Sequence, residues 1–409
     1  MTWVTDWAPT SVELNACIQC GLCLPFCPTF RLTGDEAASP RGRLTAMSAL
    51  ASGDAPLDAR FEDIMGFCLQ CRACEAVCPS LVPFGRMMEG TRAEIVAQDP
   101  TPARIGRRVM LGRLIAFRPL VLLASWLLGI AQRLRIVRFL PGPGRRATGL
   151  RAVPLPVPTT LGRTWEPEGD AIGSAALLAG CVMDPWFASV HRATVQVLRM
   201  AGYRVAVPES QTCCGALAAH EGAAFDAARM ARANIEAFAG YDMIVVDSAG
   251  CGAHLKGYGD WADGGQALAD SVVDVTELVA SLLDDGRLPR AADGQGRVAV
   301  QDPCHLRHAQ RIVEQPRAVV RAAGYQPVDV DEQGLCCGAA GAYAATHPET
   351  SDELGRRKAD EVLATGASVV AAANPGCDMQ LRSKLDGRIR VAHPIELYWE
   401  AIGKIGTGA

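Results

Sequence analysis

Short apolar runs and longer helical stretches alternate through the second half of the chain, and they do so twice. Leu177-Leu178-Ala179-Gly180-Cys181 reads as a buried strand that ends at a cysteine. The pattern then predicts a helix over Pro185–Ala201, a short strand after Gly202-Tyr203, and the unit Cys213-Cys214-Gly215. A helix over Ala223–Ala239 and the strand Met243–Val246 lead on to Gly250-Cys251. The second copy runs through Val298–Val300, Asp302-Pro303-Cys304-His305, a helix to Ala323, Gly324-Tyr325 and Cys336-Cys337-Gly338. A further helix, the strand Val369–Ala371 and Pro375-Gly376-Cys377 complete it. From single cysteine to pair is 32 positions in both copies (181 to 213, 304 to 336). Strand–helix–strand order with short connections predicts two similar α/β lobes, 171–290 and 291–409, with mainly parallel sheets and right-handed crossovers.

The first half has a different texture. Residues 1–100 are expected to be mainly helical. One helix opens at Ser39 as N-cap with Pro40 in its first turn and runs through Leu50; a second spans Gly85–Ala97. Residues 101–170 read as a connector. The stretch 100–165 holds twelve arginines and no acidic residue. Its apolar run, Pro119–Ala131, is shorter than the roughly 20 residues a membrane span needs. Basic flanks, an apolar centre and Trp126 suit a helix lying on an anionic membrane surface. They equally suit one packed between domains or under a partner subunit. Pro141-Gly142-Pro143-Gly144 and Pro154-Leu155-Pro156-Val157-Pro158 mark a linker. The fold class is thus α+β multidomain, a helical N-terminal domain followed by two repeated α/β lobes.

Composition narrows the function. With 409 residues, 49% of them hydrophobic, the chain can bury cores for two or three domains. A net charge of −4 gives no general affinity for nucleic acid. Met1–Asn15 carries Asp6 and Glu13 and no apolar stretch, which reads as no signal peptide, so a cytoplasmic location is expected. The 16 cysteines divide into two sets of eight with none left over, an economy expected of ligands in a reducing compartment.

The first set lies in two runs, Cys17-x2-Cys20-x2-Cys23-x3-Cys27-Pro28 and Cys68-x2-Cys71-x2-Cys74-x3-Cys78-Pro79. This is the bacterial-ferredoxin spacing, in which three cysteines hold one cubane and the fourth serves the other cluster. Cys17, Cys20, Cys23 and Cys78 are therefore assigned to one 4Fe–4S cluster, and Cys27, Cys68, Cys71 and Cys74 to a second. Zinc would leave thiolates over, and a disulfide framework belongs to small secreted chains. The 40 or so residues between the runs favour a helical ferredoxin domain over the compact β type. Arg41 and Arg43 either favour reduced clusters and acidic partners or are solvated residues at a helix start.

The second set comprises Cys181, Cys213, Cys214 and Cys251 in the first lobe and Cys304, Cys336, Cys337 and Cys377 in the second. These sit where strands end or helices begin, where α/β sheets gather binding sites. Adjacent cysteines share one metal ion poorly but can bind separate irons, so further iron–sulfur clusters are favoured over zinc. Metal-free redox thiols are the competing reading. No G-x-G-x-x-G follows a strand, and no general base or nucleophile stands out, so no catalytic residue is assigned.

With both features in hand the chain resembles the glycolate oxidase iron–sulfur subunit family across essentially its whole length. The carrying residues are the two ferredoxin runs, Thr33-Gly34-Asp35-Glu36, Ser39-Pro40-Arg41-Gly42-Arg43 and the two CCG units. The CCG duplication alone is shared with lactate-utilisation, anaerobic glycerol-3-phosphate dehydrogenase and heterodisulfide reductase subunits. The resemblance implies a non-catalytic electron conduit in a complex whose FAD-binding subunits oxidise glycolate to glyoxylate. FAD would reside on those partners only, with a quinone or membrane acceptor, and the chain peripheral on the inner face of the membrane. Lactate or glycerol 3-phosphate as donor, or a heterodisulfide or thiol reductase acting at the CCG lobes, are the alternatives. One departure bears on the last: where heterodisulfide reductases end the unit in CxxC, this chain has His254 and Gln380.

Overall fold

The computed structural model describes residues 3–136, 150–331 and 334–403. The N-terminal part is built from α1 (Ser11–Asn15), α2 (Pro28–Thr33), α3 (Pro40–Ser52), α4 (Ala59–Gly66), α5 (Ala73–Ala76) and α6 (Phe84–Gln98). Ser39 caps α3, its hydroxyl accepting from the Gly42 amide at 2.9 Å, and Gly53 ends the helix in the left-handed region at φ 84°. Leu44, Met47 and Leu50 of α3 pack on Phe61 and Met65 of α4 and on Phe84, Met87 and Met88 of α6. This small apolar core positions the loops that carry the cysteines.

The connector begins with α7 (Pro102–Val109), continues through a π-helical turn at Met110–Leu114, and bends by 97° into α8 (Arg118–Arg133). No single helix among the described residues is long and apolar enough to cross a membrane. Of the three readings of this stretch, packing between domains is not what forms. α8 buries only Ser125 and Gly129, while Leu123, Trp126 and Leu127 stay about half exposed. The helix seats its two small residues because Trp186 and Leu155 press close there, the Trp186 indole donating to Ser125 Oγ at 2.8 Å. The Pro141–Gly144 stretch of the linker lies outside the described residues, as do Arg138, Arg145 and Arg146.

The first lobe contains β1 (Thr164–Trp165), β2 (Gly173–Leu177), α9 (Met183–Trp186), α10 (Ala188–Met200), β3 (Tyr203–Ala206), α11 (Ala216–His220) and α12 (Ala224–Ala237). It continues with β4 (Ile244–Val246), α13 (Ala249–Leu255), α14 (Gly265–Asp270), β5 (Val272–Asp274) and α15 (Val275–Asp284). The second holds β6 (Arg297–Gln301), a π-helical turn at His305–Ala309, α16 (Glu314–Ala322), β7 (Gln326–Asp329) and α17 (Tyr343–Thr346). α18 (Pro348–Ala364), β8 (Val369–Ala372), α19 (Pro375–Leu385), β9 (Arg390–Ala392) and α20 (Pro394–Gly403) follow. The helix expected to run unbroken from His305 to Ala323 is interrupted over 310–313, where Arg311 takes φ 59°.

The sheets repeat one topology. The first is ordered β1-β3-β2-β4-β5 and the second β7-β6-β8-β9, with every pairing parallel except β1 against β3. Ala175 stands opposite Val205, and Ala299 stands between Val328 and Val370. The first lobe's sheet takes in β1 from the stretch read as connector. Ala175 and Leu177 face one apolar core and Ala176 and Leu178 another, as both faces of a parallel sheet must be covered.

The lobes are not independent. α10 and α15 of the first lobe and α16 and α20 of the second form one layer with a common core. Val190, Val197 and Leu198 of α10 meet Ile395, Tyr398 and Ile402 of α20 there. Arg151, from the connector, locks this layer. Its guanidinium pairs with Asp378 at 2.8 Å and Glu396 at 2.7 Å and lies 4.7 Å over the Phe187 ring, all nearly buried. Burial opposes the Glu396 charge, but Arg151 and the His393 amide outweigh it and hold the carboxyl at about 2.

Removing Arg151 leaves buried Glu396 without a cation, while Asp378 keeps Arg382 at 2.6 Å; breaking a buried pair in this way costs about 3–5 kcal/mol. Arg151→Ala is expected to lower unfolding stability by that order in urea melts monitored by circular dichroism. Because the folded Glu396 value lies below its ordinary 4.5, its contribution is whole above pH 4.5 and is lost as pH falls toward 2. Stability of the parent protein therefore drops across that window, and the Arg151→Ala protein shows a shallower drop.

Candidate metal centres

Both ferredoxin runs fold into the same tight loop. Gln19 and Gly21 in the first, and Gln70 and Arg72 in the second, take positive φ (55°, 81°, 54° and 60°) around the second cysteine of each run. Left-handed residues cost an L-amino acid about 1–2 kcal/mol. Their use on both sides of one cysteine turns successive amides toward a common centre, the geometry of a backbone anion nest. The Gln70 amide points at Cys68 Sγ at 3.4 Å, and the Gln70 side chain donates to His220 O at 2.8 Å, fastening the loop to the first lobe.

One cavity is lined by Cys27, Cys68, Cys71 and Cys74, so Cys27 of the first run joins three cysteines of the second. Thr29 and Arg43 line it as well. Arg43 is 1% exposed and donates to Ile64 O and Thr29 Oγ1, so it is not a solvated helix-start residue. Arg41 is the solvated one of the two, paired with Glu36 at 2.7 Å. Cys23 lies in the field of Cys17, Cys20 and Cys27, and burial pushes its thiol up to about 11. Cys17 and Cys78 both pack at the edge of the N-terminal core. Burial also pushes Cys71 and Cys74 well up. Bare thiolates are therefore unfavourable here, and deprotonated sulfur needs the positive charge of bound metal.

In each lobe four cysteines gather at the carboxyl ends of the parallel strands. Sγ atoms stand 3.5 Å apart for Cys181 and Cys213, 3.3 Å for Cys214 and Cys251, and 3.2 Å for Cys337 and Cys377. Cys304 packs against the apolar cluster that contains Cys336. The glycine after each pair has φ 94° (Gly215) or 83° (Gly338), and a Cβ on Gly338 would meet Ser351 O at 2.8 Å. No residue with a side chain fits. All 16 cysteines are free of disulfides. Among the described residues no three Cys, His, Asp or Glu side chains surround one mononuclear ion position. Sulfur-only donors, inward-turned amides and dry surroundings fit iron–sulfur clusters.

Residues without a spacing signature hold these loops. Gln211 accepts from Ala179 N at 2.7 Å and donates to Leu177 O, joining the segment before Cys213 to the strand end before Cys181. His191 binds Asp247 at 2.7 Å and Ala179 O at 3.0 Å, tying the approaches to Cys181 and Cys251. Arg92 donates to Cys68 O, Met65 O and His220 O, clamping the ferredoxin loop to the first lobe. Each is a polar residue made important by a contact distant in sequence, so composition alone could not mark it.

The N-terminal and second-lobe sites also meet. Leu69, Cys71 and Ala73 share one apolar cluster with Cys336, Tyr343 and Leu354, and Cys304 packs alongside. Beside it Glu89, His220, His254 and His305 line a polar cavity between all three parts of the chain. At the two departures from CxxC, Gln380 donates to Ser351 O at 2.8 Å, whereas His254 Nε2 is buried without a hydrogen-bond partner.

Comparisons with known proteins agree with this geometry. The model of the 4Fe-4S dicluster domain matches residues 13–82, and that of the cysteine-rich domain CCG matches 175–256 and 298–382. The chain is 33% identical to the "Probable glycolate oxidase iron-sulfur subunit" of Bacillus subtilis, over 96% of this chain and 94% of that one. It is 32% identical to the glycolate oxidase iron-sulfur subunit of Escherichia coli, over 96% and 95%. One of the subunits of the dihydromethanophenazine:CoB–CoM heterodisulfide reductase of Methanosarcina barkeri is 25% identical over 96% and 95%. A full-length likeness that includes both cysteine sets is the mark of shared architecture, and the chain belongs to the glycolate oxidase iron–sulfur subunit family, as an iron–sulfur electron-transfer subunit.

Proposed function

We propose that this chain carries electrons from FAD-binding partner subunits, which oxidise glycolate to glyoxylate, to a quinone-type acceptor. Cys17, Cys20, Cys23 and Cys78 hold one 4Fe–4S cluster, and Cys27, Cys68, Cys71 and Cys74 a second. Cys181, Cys213, Cys214 and Cys251 hold a further iron–sulfur group, as do Cys304, Cys336, Cys337 and Cys377. When bound, such clusters supply one-electron acceptance and release, which a two-electron flavin donor needs. The protein contributes spacing, dryness and charge.

The observation that carries the reading is the shared apolar cluster of Cys71 and Cys336. It brings ferredoxin ligands and second-lobe ligands together with water excluded between them, so charge can pass inward from the N-terminal part. Arg43, buried beside the second ferredoxin set, favours the reduced state there. The half-exposed Leu123, Trp126 and Leu127 on α8, flanked by Arg118 and Arg133, support a peripheral seat on the inner membrane face, near such an acceptor. Gln380, bound to Ser351, speaks against a disulfide reductase site in the second lobe.

In the anaerobically assembled complex, Cys71→Ser is expected to abolish glycolate-driven quinone reduction while glycolate still bleaches the partner flavin. Normal quinone turnover, or activity with lactate and none with glycolate, overturns the reading. Iron analysis is expected to give about 16 irons per chain, at about four per site. Arg43→Gln is expected to lower the potential of one ferredoxin cluster by roughly 100 mV, the effect of one charge at about 8 Å in an effective dielectric of about 20. Redox titration followed by paramagnetic resonance measures it.

A further inference from the structure

We infer that His254 is a fifth ligand to the iron–sulfur group of the first lobe, joining Cys181, Cys213, Cys214 and Cys251 through Nε2. The inference rests on the reading that this lobe holds such a group and adds a nitrogen donor to it.

Placement comes first. Cys251 and His254 stand three residues apart on α13 and so share a helix face. That face is turned to the cysteine pair, since Cys251 Sγ lies 3.3 Å from Cys214 Sγ. His254 Nε2 lies against the turn just after the pair, 3.3 Å from where a Cβ on Gly215 would sit. The glycine at 215 thus serves two ends, its positive φ and an open approach for the imidazole.

The second argument is the unused nitrogen. His254 is 7% exposed, and its Nε2 is buried with no hydrogen-bond partner. Leaving a buried polar atom unsatisfied is unfavourable. His191, by contrast, has both ring nitrogens engaged; Nε2 of His305 and of His393 is also buried without a partner, but neither follows a lobe cysteine by three residues on one helix as His254 does. His254 is nonetheless held firmly. Tyr258 meets its ring edge-on at 5.5 Å and Trp261 at 5.6 Å. Tyr258 in turn donates to Cys214 O at 2.6 Å and accepts from Asn234, which also donates to Cys213 O. The imidazole is therefore packed against the same network that fixes the backbone of the cysteine pair.

The second lobe provides an internal contrast. Gln380 stands three residues after Cys377, as His254 does after Cys251, yet its amide is spent on Ser351 O. The lobes therefore present five donors and four.

The test uses the full chain, purified anaerobically after 15N-histidine labelling, with pulsed paramagnetic resonance and iron counts. A strong histidine 15N coupling is expected on one centre. His254→Cys is expected to keep the iron content and lose that coupling completely, and His254→Gln does the same if the cysteine variant accumulates poorly. His305→Gln, altering the histidine that touches Cys304, leaves the coupling unchanged. The two ferredoxin signals report that each variant is folded. Absence of the coupling with the lobe loaded, or its persistence in His254→Cys, overturns the inference alone. About eight irons per chain with both ferredoxin signals intact overturns it together with the lobe-cluster reading and leaves the ferredoxin conduit standing.

Discussion

Deprotonated sulfur tolerates burial only when positive charge faces it. Half of this chain's thiols sit in dry places, Cys71, Cys213, Cys214, Cys336 and Cys337 among them, each less than a tenth exposed. The loops around them are bent into backbone conformations that ordinary residues avoid. An inorganic cluster at such a place would resolve both strains at once, accepting thiolate charge and amide hydrogen bonds together. The architecture follows from that demand. Small residues stand where backbone must approach sulfur, as at Gly215 and Gly338, and polar side chains clamp the loop stems at Gln211, His191 and Arg92.

The duplicated lobes show how the same plan is made rigid. A lone α/β lobe of this size would leave its outer helices half covered. Here α10 and α15 of the first lobe and α16 and α20 of the second cover one another, and Arg151 satisfies carboxylates brought together by α19 and α20. Rigidity of this kind matters for an electron carrier, whose rates depend on distances that must not wander. The N-terminal part joins the same body through Arg92, Gln70 and the apolar cluster around Cys71, so the donor sets are held as one unit.

The repetition is not perfect, and the differences bear on chemistry. β1 extends only the first sheet, and His254 and Gln380 occupy matching places with opposite fates. One keeps a free nitrogen beside its cysteines and the other spends its amide on a backbone carbonyl. Duplication supplies two similar sets of four cysteines, and the positions beside them have diverged.

Much of this was legible in the order of residues. Metal-ligand spacing is a local property, so the runs at 17–27 and 68–78 and the repeated interval of 32 announce their chemistry without a fold. Strand and helix order likewise follows from apolar periodicity, and the helical N-terminal part, the parallel lobes and the Ser39 cap are read from it. The interruption at 310–313 and the exposure of α8 were not legible, because both depend on what neighbouring elements leave uncovered. Nor were the burial of Arg43, the loop clamps or the idle nitrogen of His254. Those depend on contacts between residues tens to hundreds of positions apart. Which atoms can ligate is written in the chain; which of them are dry, charged or left without a partner is decided by packing.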